Sequence, residues 1–279
     1  MAGTVHTTYQ GGHRFYADDS TKITVPGVTS VIGMYPKPFL APWSAKLTAE
    51  LAVDSIDFLS RLQREGAVAY LKDASKRYTK EAANKGSEAH DLFERMIRGE
   101  QNLGRVSDRV APHVRYFEEF IQVVQPDLIC AEDIAWSDEH GYAGSFDLIA
   151  EVRIDPERKL IDHQGEPATL MIDYKTGKST YPDVAMQLTA YTMANRFISA
   201  DGASYAPPEI HGGAVLHITE AGWSFKSVKL GDEPMNAFLA ALEFFEANQQ
   251  WKSVAHGHLG KPLAKSAARL VTGTERRAR

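Results

Sequence analysis

The sequence changes character near residue 127, and this change limits the possible folds more than any other feature. Before it, the chain reads mainly as helices. After it, short apolar segments with period-two alternation dominate. From residue 127 the order is strand, strand, strand, helix, strand, strand, helix. We therefore expect a helical front followed by a sheet-forming part that contains helices of its own.

The front of the chain is predicted to hold a hairpin and several helices. Residues 8–25 indicate a hairpin that turns around Asp18-Asp19-Ser20, and prolines then divide the chain into short pieces. The helical segments that follow are 44–85, with a break near Glu65-Gly66 and an interruption at Gly86, then Ser87–Arg98 and Ser107–Val124.

The part after residue 127 is predicted to hold five strands and two helices. The first two strands turn at Glu139-His140-Gly141, and the second of them is expected to run through residues 142–154. The remaining elements are a strand at 168–176, a helix at 182–199, strands at 210–219 and 223–230, and a helix at 234–251.

These elements suggest three parts. Residues 1–85 form an N-terminal hairpin and helical region packed on the core, residues 86–252 form the core, and residues 253–279 form a basic C-terminal tail. Two interpretations of the tail stay open, a solvated tail and an arm that contacts DNA.

Composition excludes several classes of site. Cys130 is the only cysteine, so the chain has no intrachain disulfide, no cysteine zinc site and no four-cysteine iron–sulfur cluster. A reducing cytoplasm is the expected setting. No apolar run approaches the ~20 residues that a membrane span needs, and we expect no membrane association. The net charge of -5 argues against non-specific coating of nucleic acid but does not exclude DNA as a substrate.

Two strands carry the residues that suggest chemistry. Side chains alternate along a strand, so Asp173 and Lys175 share one face, opposite Ile172 and Tyr174. If the strands that hold Asp147 and Asp173 pair, the two carboxylates converge, and a cation between them relieves their repulsion. Hard oxygen ligands suit Mg²⁺ or Mn²⁺. Lys175 would then act beside a metal, on an attacking water or on charge that develops at a phosphate.

Residues outside these strands extend the pattern. Gln187 and Tyr191 are four apart on the helix after the lysine, and Gly144 permits close backbone approach near Asp147. His90 aligns with apolar neighbours at helical spacing, so it faces inward. It is either a hydrogen-bonded core histidine or a metal ligand, and a nitrogen ligand would favour Mn²⁺ over Mg²⁺.

Four short motifs together resemble a known family. They are Gly86-Ser87-x-x-His90, Gly144-x-x-Asp147, Asp173-Tyr174-Lys175-Thr176 and Gln187-x-x-x-Tyr191, and they occur in this order. The set resembles the RecB-like branch of the PD-(D/E)XK nucleases, close to its phage and CRISPR-associated exonucleases. The resemblance covers most of residues 22–200. No single motif is specific, whereas the set of four is.

The resemblance implies a fold and a function. The fold would be α/β (α+β), a restriction-endonuclease-like mixed central β-sheet flanked by helices, with a helical N-terminal region. The function would be that of a metal-dependent DNA nuclease, most simply an exonuclease in phage DNA replication, recombination or repair. A homo-oligomer and a phage recombination partner protein are further expectations from the family.

The resemblance also implies residue roles. His90, Asp147, Asp173 and the main-chain carbonyl of Tyr174 would ligate Mg²⁺ or Mn²⁺. Lys175 would be the catalytic lysine, and Gln187 and Tyr191 would orient it or contact DNA. CRISPR-associated relatives carry four cysteines that hold an iron–sulfur cluster, and with Cys130 alone this chain cannot hold one.

Two rival interpretations are weighed against the nuclease. Gly177-Lys178-Ser179 resembles the end of a phosphate-binding loop, but that motif requires glycine at position 172, where the chain has Ile172. The alternative from a different class is a non-catalytic DNA- or protein-binding module on the same fold. Nothing in the sequence decides the polarity of digestion or the preference for single or double strands.

Overall fold

The computed structural model describes residues 5–258 and 260. The chain divides into two compact units between Leu242 and Glu243. The larger unit holds the sheets and the first seven helices. Residues 261–279, which make up most of the predicted basic tail, lie outside the described residues. In the part that is described, no helix combines the length and the apolar character needed to cross a membrane.

An antiparallel three-stranded sheet begins the chain. Its strands are β1 (Val5–Gln10), β2 (His13–Asp18) and β3 (Ile23–Pro26), in that spatial order. The predicted hairpin around Asp18-Asp19-Ser20 is confirmed as the β2–β3 connection. Gly27, just after β3, forms a single parallel bridge to Ala143, so this sheet lies against a later strand.

Six helices follow, and their boundaries differ from the prediction. They are α1 (Val28–Ile32), α2 (Leu40–Asp54), α3 (Ile56–Leu59), α4 (Arg64–Lys72), α5 (Ala74–Ile97) and α6 (Ala111–Val124). The break expected near Glu65-Gly66 lies just before α4 instead, and α5 continues through Gly86 without interruption. A glycine costs a helix only ~1 kcal/mol, and burial of Ala89, Leu92 and Phe93 against the core offsets that cost.

The central sheet is mixed, as expected. Its spatial order is β13-β12-β9-β7-β4, with β8 paired to β7. Only β9 and β12 run parallel, and the other pairs are antiparallel. A parallel pair requires a long crossover, which here contains α7. The strands are β4 (Asp127–Ala131), β7 (Leu148–Asp155), β8 (Leu160–Ile161), β9 (Glu166–Lys175), β12 (Gly212–Thr219) and β13 (Gly222–Val228).

A second, four-stranded sheet was not predicted. Its order is β11-β10-β5-β6, and its strands are β5 (Ile134–Ser137), β6 (Tyr142–Ser145), β10 (Arg196–Ile198) and β11 (Ser204–Tyr205). The helix predicted for 182–199 is therefore wrong at its end, because α7 (Val184–Thr192) stops and β10 follows. Tertiary contact overrides helical propensity, since Phe197 packs on Phe146 with ring centroids 4.8 Å apart.

The predicted hairpin of residues 127–154 crosses from one sheet to the other. The continuous strand expected over 142–154 is in fact β6 and β7, separated at Phe146 and Asp147. The partner strand is divided at Glu132 and Asp133, directly opposite. The amide of Phe146 donates to the carbonyl of Asp133 and that of Glu132 to the carbonyl of Asp147, both at 3.2 Å. Glu132 has a left-handed φ of 58°, so both strands bend together at this crossing.

Helices cover both faces of the central sheet. On one face, α5 and α6 pack on the core through Phe93 and Phe117, which surround Tyr174 with ring centroids 5.5 and 5.4 Å away. Leu170, Ile172 and Tyr174 all belong to this core, which confirms the alternation predicted for β9. Asp173 points to the other face, where it contacts α7. The expected mixed sheet flanked by helices is therefore present. The last helix, α8 (Asp232–His258), extends beyond the predicted 234–251.

Candidate active site

Asp147 and Asp173 lie together because of strand register. Leu148 of β7 pairs with Ile172 of β9 in the antiparallel direction, so Asp147 lies beside the last residues of β9. The backbone amide of Tyr174 donates to Oδ2 of Asp147 at 2.5 Å. The predicted convergence of the two carboxylates is confirmed. Asp147 owes its position to the crossing between the sheets, however, and not to a place within a continuous strand.

Asp173 and Lys175 form an ion pair that α7 completes. Nζ of Lys175 lies 2.9 Å from Oδ1 and 2.7 Å from Oδ2 of Asp173. Gln187 accepts from Lys175 through Oε1 at 3.2 Å and donates from Nε2 to Oδ1 of Asp173 at 2.9 Å. The same Nε2 lies 3.3 Å from the hydroxyl of Tyr191. Gln187 therefore bridges the carboxylate, the ammonium group and the tyrosine.

Gly144 makes room for Tyr191. A Cβ atom added at Gly144 would lie 2.6 Å from a ring carbon of Tyr191, closer than real Cβ contacts permit. The ring is buried and belongs to a helix that packs on the sheet, so it cannot easily withdraw. The close approach predicted at this glycine serves the Tyr191 ring, and through that ring it defines the position of Gln187.

His90 faces the carboxylates from α5. Its Nδ1 lies 3.4 Å from Oδ1 of Asp147, and its side chain is 29% exposed. The ring makes an edge contact with Tyr174, with centroids 5.6 Å apart. The inward orientation predicted from helical spacing is confirmed. The hydrogen-bonded-histidine and ligand interpretations both agree with this position and with the contact to Asp147.

Glu132 belongs to the site and was missed by the sequence analysis. One ligand atom from each of His90, Glu132 and Asp147 lies within 4.8 Å of the other two, a spacing that a single metal ion can bridge. A signal for Glu132 existed in the sequence. Ser137 pairs with Tyr142 across the predicted turn, and the same register continued to the crossing places Glu132 opposite Asp147.

Arg14 is a second residue that the sequence analysis missed. It lies on β2 and lines the same cavity of about 530 Å³ as His90, Asp147 and Lys175. Its Nε donates to the hydroxyl of Tyr9 at 3.1 Å. No motif marks it, because only the packing of the N-terminal sheet on β6 brings it to the cavity.

The ionisable groups of the site influence one another strongly. Burial and the charge of Asp147 raise the pKa of Glu132 to about 8. Burial raises the pKa of Asp173 to about 6 even though Lys175 opposes this. Burial acts against ionisation of Asp147 as well, but the charge of His90 holds the pKa of Asp147 below its usual value. The pKa of Lys175 is raised because the charges of Asp173 and Asp147 outweigh burial.

The donor set fits a divalent cation. Two carboxylates and an imidazole converge in the His90–Glu132–Asp147 group, and all three residues are partly buried. Carboxylates this close repel each other unless a positive charge compensates them. Asp173, predicted as a ligand with His90 and Asp147, lines the same cavity but is not part of this group, because Glu132 takes that place and Oδ2 of Asp173 lies 2.7 Å from Nζ of Lys175. Oxygen and imidazole donors are compatible with Mg²⁺ or Mn²⁺, and the arrangement does not choose between them.

At Tyr174, the structure gives a role at the site to the backbone amide and none to the carbonyl. Its side chain is buried in the aromatic core and its N–H orients Asp147. Ligation by its carbonyl stays a prediction. The segment Gly177-Lys178-Ser179-Thr180 is irregular, and α7 begins only at Val184, so it lacks the helix start that a phosphate-binding loop needs.

Comparison with protein families and with curated proteins adds no relative. No family model matches the chain. No curated protein matches it either.

Proposed function

We propose that this protein is a divalent-metal-dependent deoxyribonuclease with a restriction-endonuclease-like fold. The observation that carries the proposal is the composition of one cavity. It brings together a cation-compatible group, His90, Glu132 and Asp147, and a lysine that is held by Asp173 and Gln187. A mixed sheet with helices on both faces supports the fold part of the proposal.

Each side chain has a defined task in this proposal. His90, Glu132 and Asp147 would hold the cation, and Asp173 would approach it from the periphery, as the resemblance implies. The cation would supply Lewis acidity at the scissile phosphate and lower the pKa of a bound water. Lys175 stabilises the negative charge that develops on the phosphate and positions the attacking water. Because Asp173 and Gln187 fix its ammonium group, Lys175 loses little rotamer freedom when DNA binds.

Gln187 and Tyr191 position Lys175 and do not react. Gln187 holds Nζ of Lys175 by accepting a hydrogen bond, and Tyr191 supports Gln187 from the same helix face. Arg14 places a second positive charge at the cavity and would contact a phosphate oxygen. We further propose that the enzyme removes nucleotides from DNA ends. This part rests on the resemblance of the four motifs to phage and CRISPR-associated exonucleases.

A cleavage assay tests the proposal. Closed circular plasmid and end-labelled linear DNA are incubated with Mg²⁺ or Mn²⁺ and with a chelator. We expect metal-dependent loss of linear DNA from its ends and survival of the closed circle. Absence of cleavage with both metals would leave the non-catalytic binding module as the better proposal. Cleavage of the circle would exclude a strict exonuclease.

Two variants test the residue roles in the same assay. Asp147→Ala and Lys175→Ala are expected to lower the rate by about a thousandfold, as removal of a charge-stabilising group typically does. Lys226→Ala and Glu157→Ala are matched controls, because both side chains are exposed and lie outside the cavity. Circular dichroism checks that each variant is folded. A fully active Lys175→Ala protein would refute the role given to the lysine.

A further inference from the structure

The segment of residues 176–183 connects the cavity to an exposed aromatic surface. It begins beside α5, where a Cβ added at Gly86 would lie 3.3 Å from Oγ1 of Thr176. Nζ of Lys178 lies 5.7 Å from the centroid of the Tyr78 ring, about two turns back along the same helix. Tyr181 then reaches α2. The segment therefore leads from Lys175 to residues of the helical front.

Four aromatic side chains form this surface, which we call the aromatic platform: Phe39, Trp43, Tyr78 and Tyr181. The rings of Phe39 and Tyr181 stack with centroids 5.7 Å apart and an angle of 9°. Trp43 and Tyr78 make an edge contact, also at 5.7 Å. Phe39 is 47% exposed and Tyr181 is 52% exposed. Two large rings that protrude side by side are not explained by packing of the core.

Basic residues outnumber acidic ones in the stretch of chain that carries Tyr78 of the aromatic platform. Lys178 is exposed, lies over the Tyr78 ring and forms no ion pair with a carboxylate of residues 5–258 or 260. Residues 60–85, which include Tyr78, contain seven Lys or Arg and three Asp or Glu, whereas the whole chain has a net charge of -5. Lys76 and Lys80 of this stretch are exposed on α5, the helix that also carries His90. Exposed basic side chains therefore lie on the turns of α5 that carry Tyr78.

We propose that the aromatic platform binds unpaired nucleotides of the DNA strand whose phosphate lies in the cavity. Bases stack on Phe39 and Tyr181, and a backbone phosphate contacts Lys178. Aromatic rings bind any base through its face, and such stacking needs bases that are not already stacked in a duplex. The inference rests on the proposed function, and it adds that the DNA near the site is single-stranded.

The occupant is inferred from continuity with the cavity. The same segment carries Lys178 and Tyr181 and follows Lys175 directly in the chain. Its first residue, Thr176, lies against Gly86, and Gly86 lines the cavity. The exposed rings would be equally suitable for contact with a protein partner. Such a partner would not account for the exposed Lys178 or for the exposed basic side chains on the turns of α5 that carry Tyr78.

Fluorescence anisotropy with labelled oligo(dT) tests the proposal on the full chain. A chelator is present throughout, so binding is measured without cleavage. We expect Phe39→Ala and Tyr181→Ala each to raise the Kd for oligo(dT) about tenfold, in line with the loss of one base–aromatic contact. Tyr181→Phe is expected to bind as the unmodified protein does, because the ring is retained. The Kd for a blunt duplex of the same length is expected to stay unchanged in all three variants.

Lys178→Gln tests the phosphate contact separately. It is expected to reduce the dependence of log K on log salt concentration by about 0.7, the value for one phosphate on a single strand. Phe244→Ala is the matched control, since Phe244 is also an exposed aromatic residue, at 57%, but lies on α8. It is expected to leave binding unchanged.

The outcomes separate this inference from the proposed function. Unchanged oligo(dT) binding in both alanine variants would overturn the inference, even if the enzyme cleaves DNA. Equal losses for oligo(dT) and duplex would overturn it as well, because the rings would then not read unpaired bases. Selective loss of oligo(dT) binding supports it, and because the assay contains chelator, this result does not depend on detection of cleavage.

Discussion

The two sides of the cavity are built from different elements, and their negative charges are compensated in different ways. The acidic side consists of His90, Glu132 and Asp147, which come from α5 and from the crossing between the sheets. The hydrogen-bonded side consists of Asp173, Lys175, Gln187 and Tyr191, which come from the end of β9 and from α7. The carboxylates of the first side are partly buried and that of the second is buried, but only the second side carries its own lysine.

This difference indicates a division of labour. On the acidic side the pKa of Glu132 rises to about 8, because burial and the nearby Asp147 both oppose its ionisation. A cation would relieve that repulsion directly. On the other side, Asp173 is paired with Lys175 at 2.7 Å and bonded to Gln187. The first side is therefore suited to holding a metal ion, and the second to holding a lysine in a fixed position.

The largest expected difference between the two sides is their contribution to cation affinity. We expect Asp147→Ala to weaken Mn²⁺ binding by more than about a hundredfold, because it removes a central donor of the acidic side. Asp173→Ala is expected to weaken it by only about tenfold, the effect of losing a peripheral partner. Isothermal titration calorimetry measures both values. Glu157→Ala serves as a control for the loss of one negative charge. Equal losses in the two variants would mean that the sides do not differ as described.

Gln187→Ala tests the hydrogen-bonded side alone. The variant removes an acceptor for Lys175 and a donor to Asp173, so Lys175 becomes less well positioned. We expect kcat to fall about tenfold to a hundredfold with little change in KM or in Mn²⁺ affinity. Gln122→Ala, an exposed glutamine on α6, is the matched control. A loss of Mn²⁺ affinity in Gln187→Ala would contradict the separation of the two sides.

Gly144→Ala has the smallest expected effect, and it tests how firmly the Tyr191 ring of the hydrogen-bonded side is held. The added methyl group would collide with the buried Tyr191 ring at 2.6 Å. Overpacking of this kind costs ~1–3 kcal/mol in the free energy of unfolding. Gly212→Ala is the control, because its nearest neighbour would be an ordinary contact at 3.5 Å. Urea denaturation compares the two. Equal stability of both variants would show that the Tyr191 ring yields easily.

Much of the hydrogen-bonded side could be predicted from local spacing. Asp173 and Lys175 are two apart on a strand, and Gln187 and Tyr191 are four apart on a helix, so each pair shares a face. The structure brings both pairs together as expected. The mixed sheet with flanking helices was likewise predictable from the order of the elements.

The acidic side was only partly predictable. Asp147 was identified from strand alternation and His90 from helical spacing, whereas Glu132 and Arg14 were missed. Glu132 follows from the register of its own hairpin, which was not traced as far as the crossing, whereas Arg14 reaches the cavity only through packing of the N-terminal sheet. Three predictions made from local propensity were wrong, because propensity differences are small compared with the energy of tertiary packing. They are the interruption at Gly86, the continuous strand over 142–154 and the helix over 182–199. In each case packing of buried side chains against the sheets decided the outcome.

The sequence by itself determined which residues share a strand or helix face, since the periods of two and 3.6 residues follow from backbone geometry. It thereby determined that Asp173 and Lys175 face one way and Tyr174 the other. Only the tertiary structure decided that the hairpin bends at Glu132 and Asp147 and passes between two sheets. That bend depends on pairing with β9 on one side and β10 on the other, which no local pattern encodes. This crossing brings Glu132 and Asp147 next to His90.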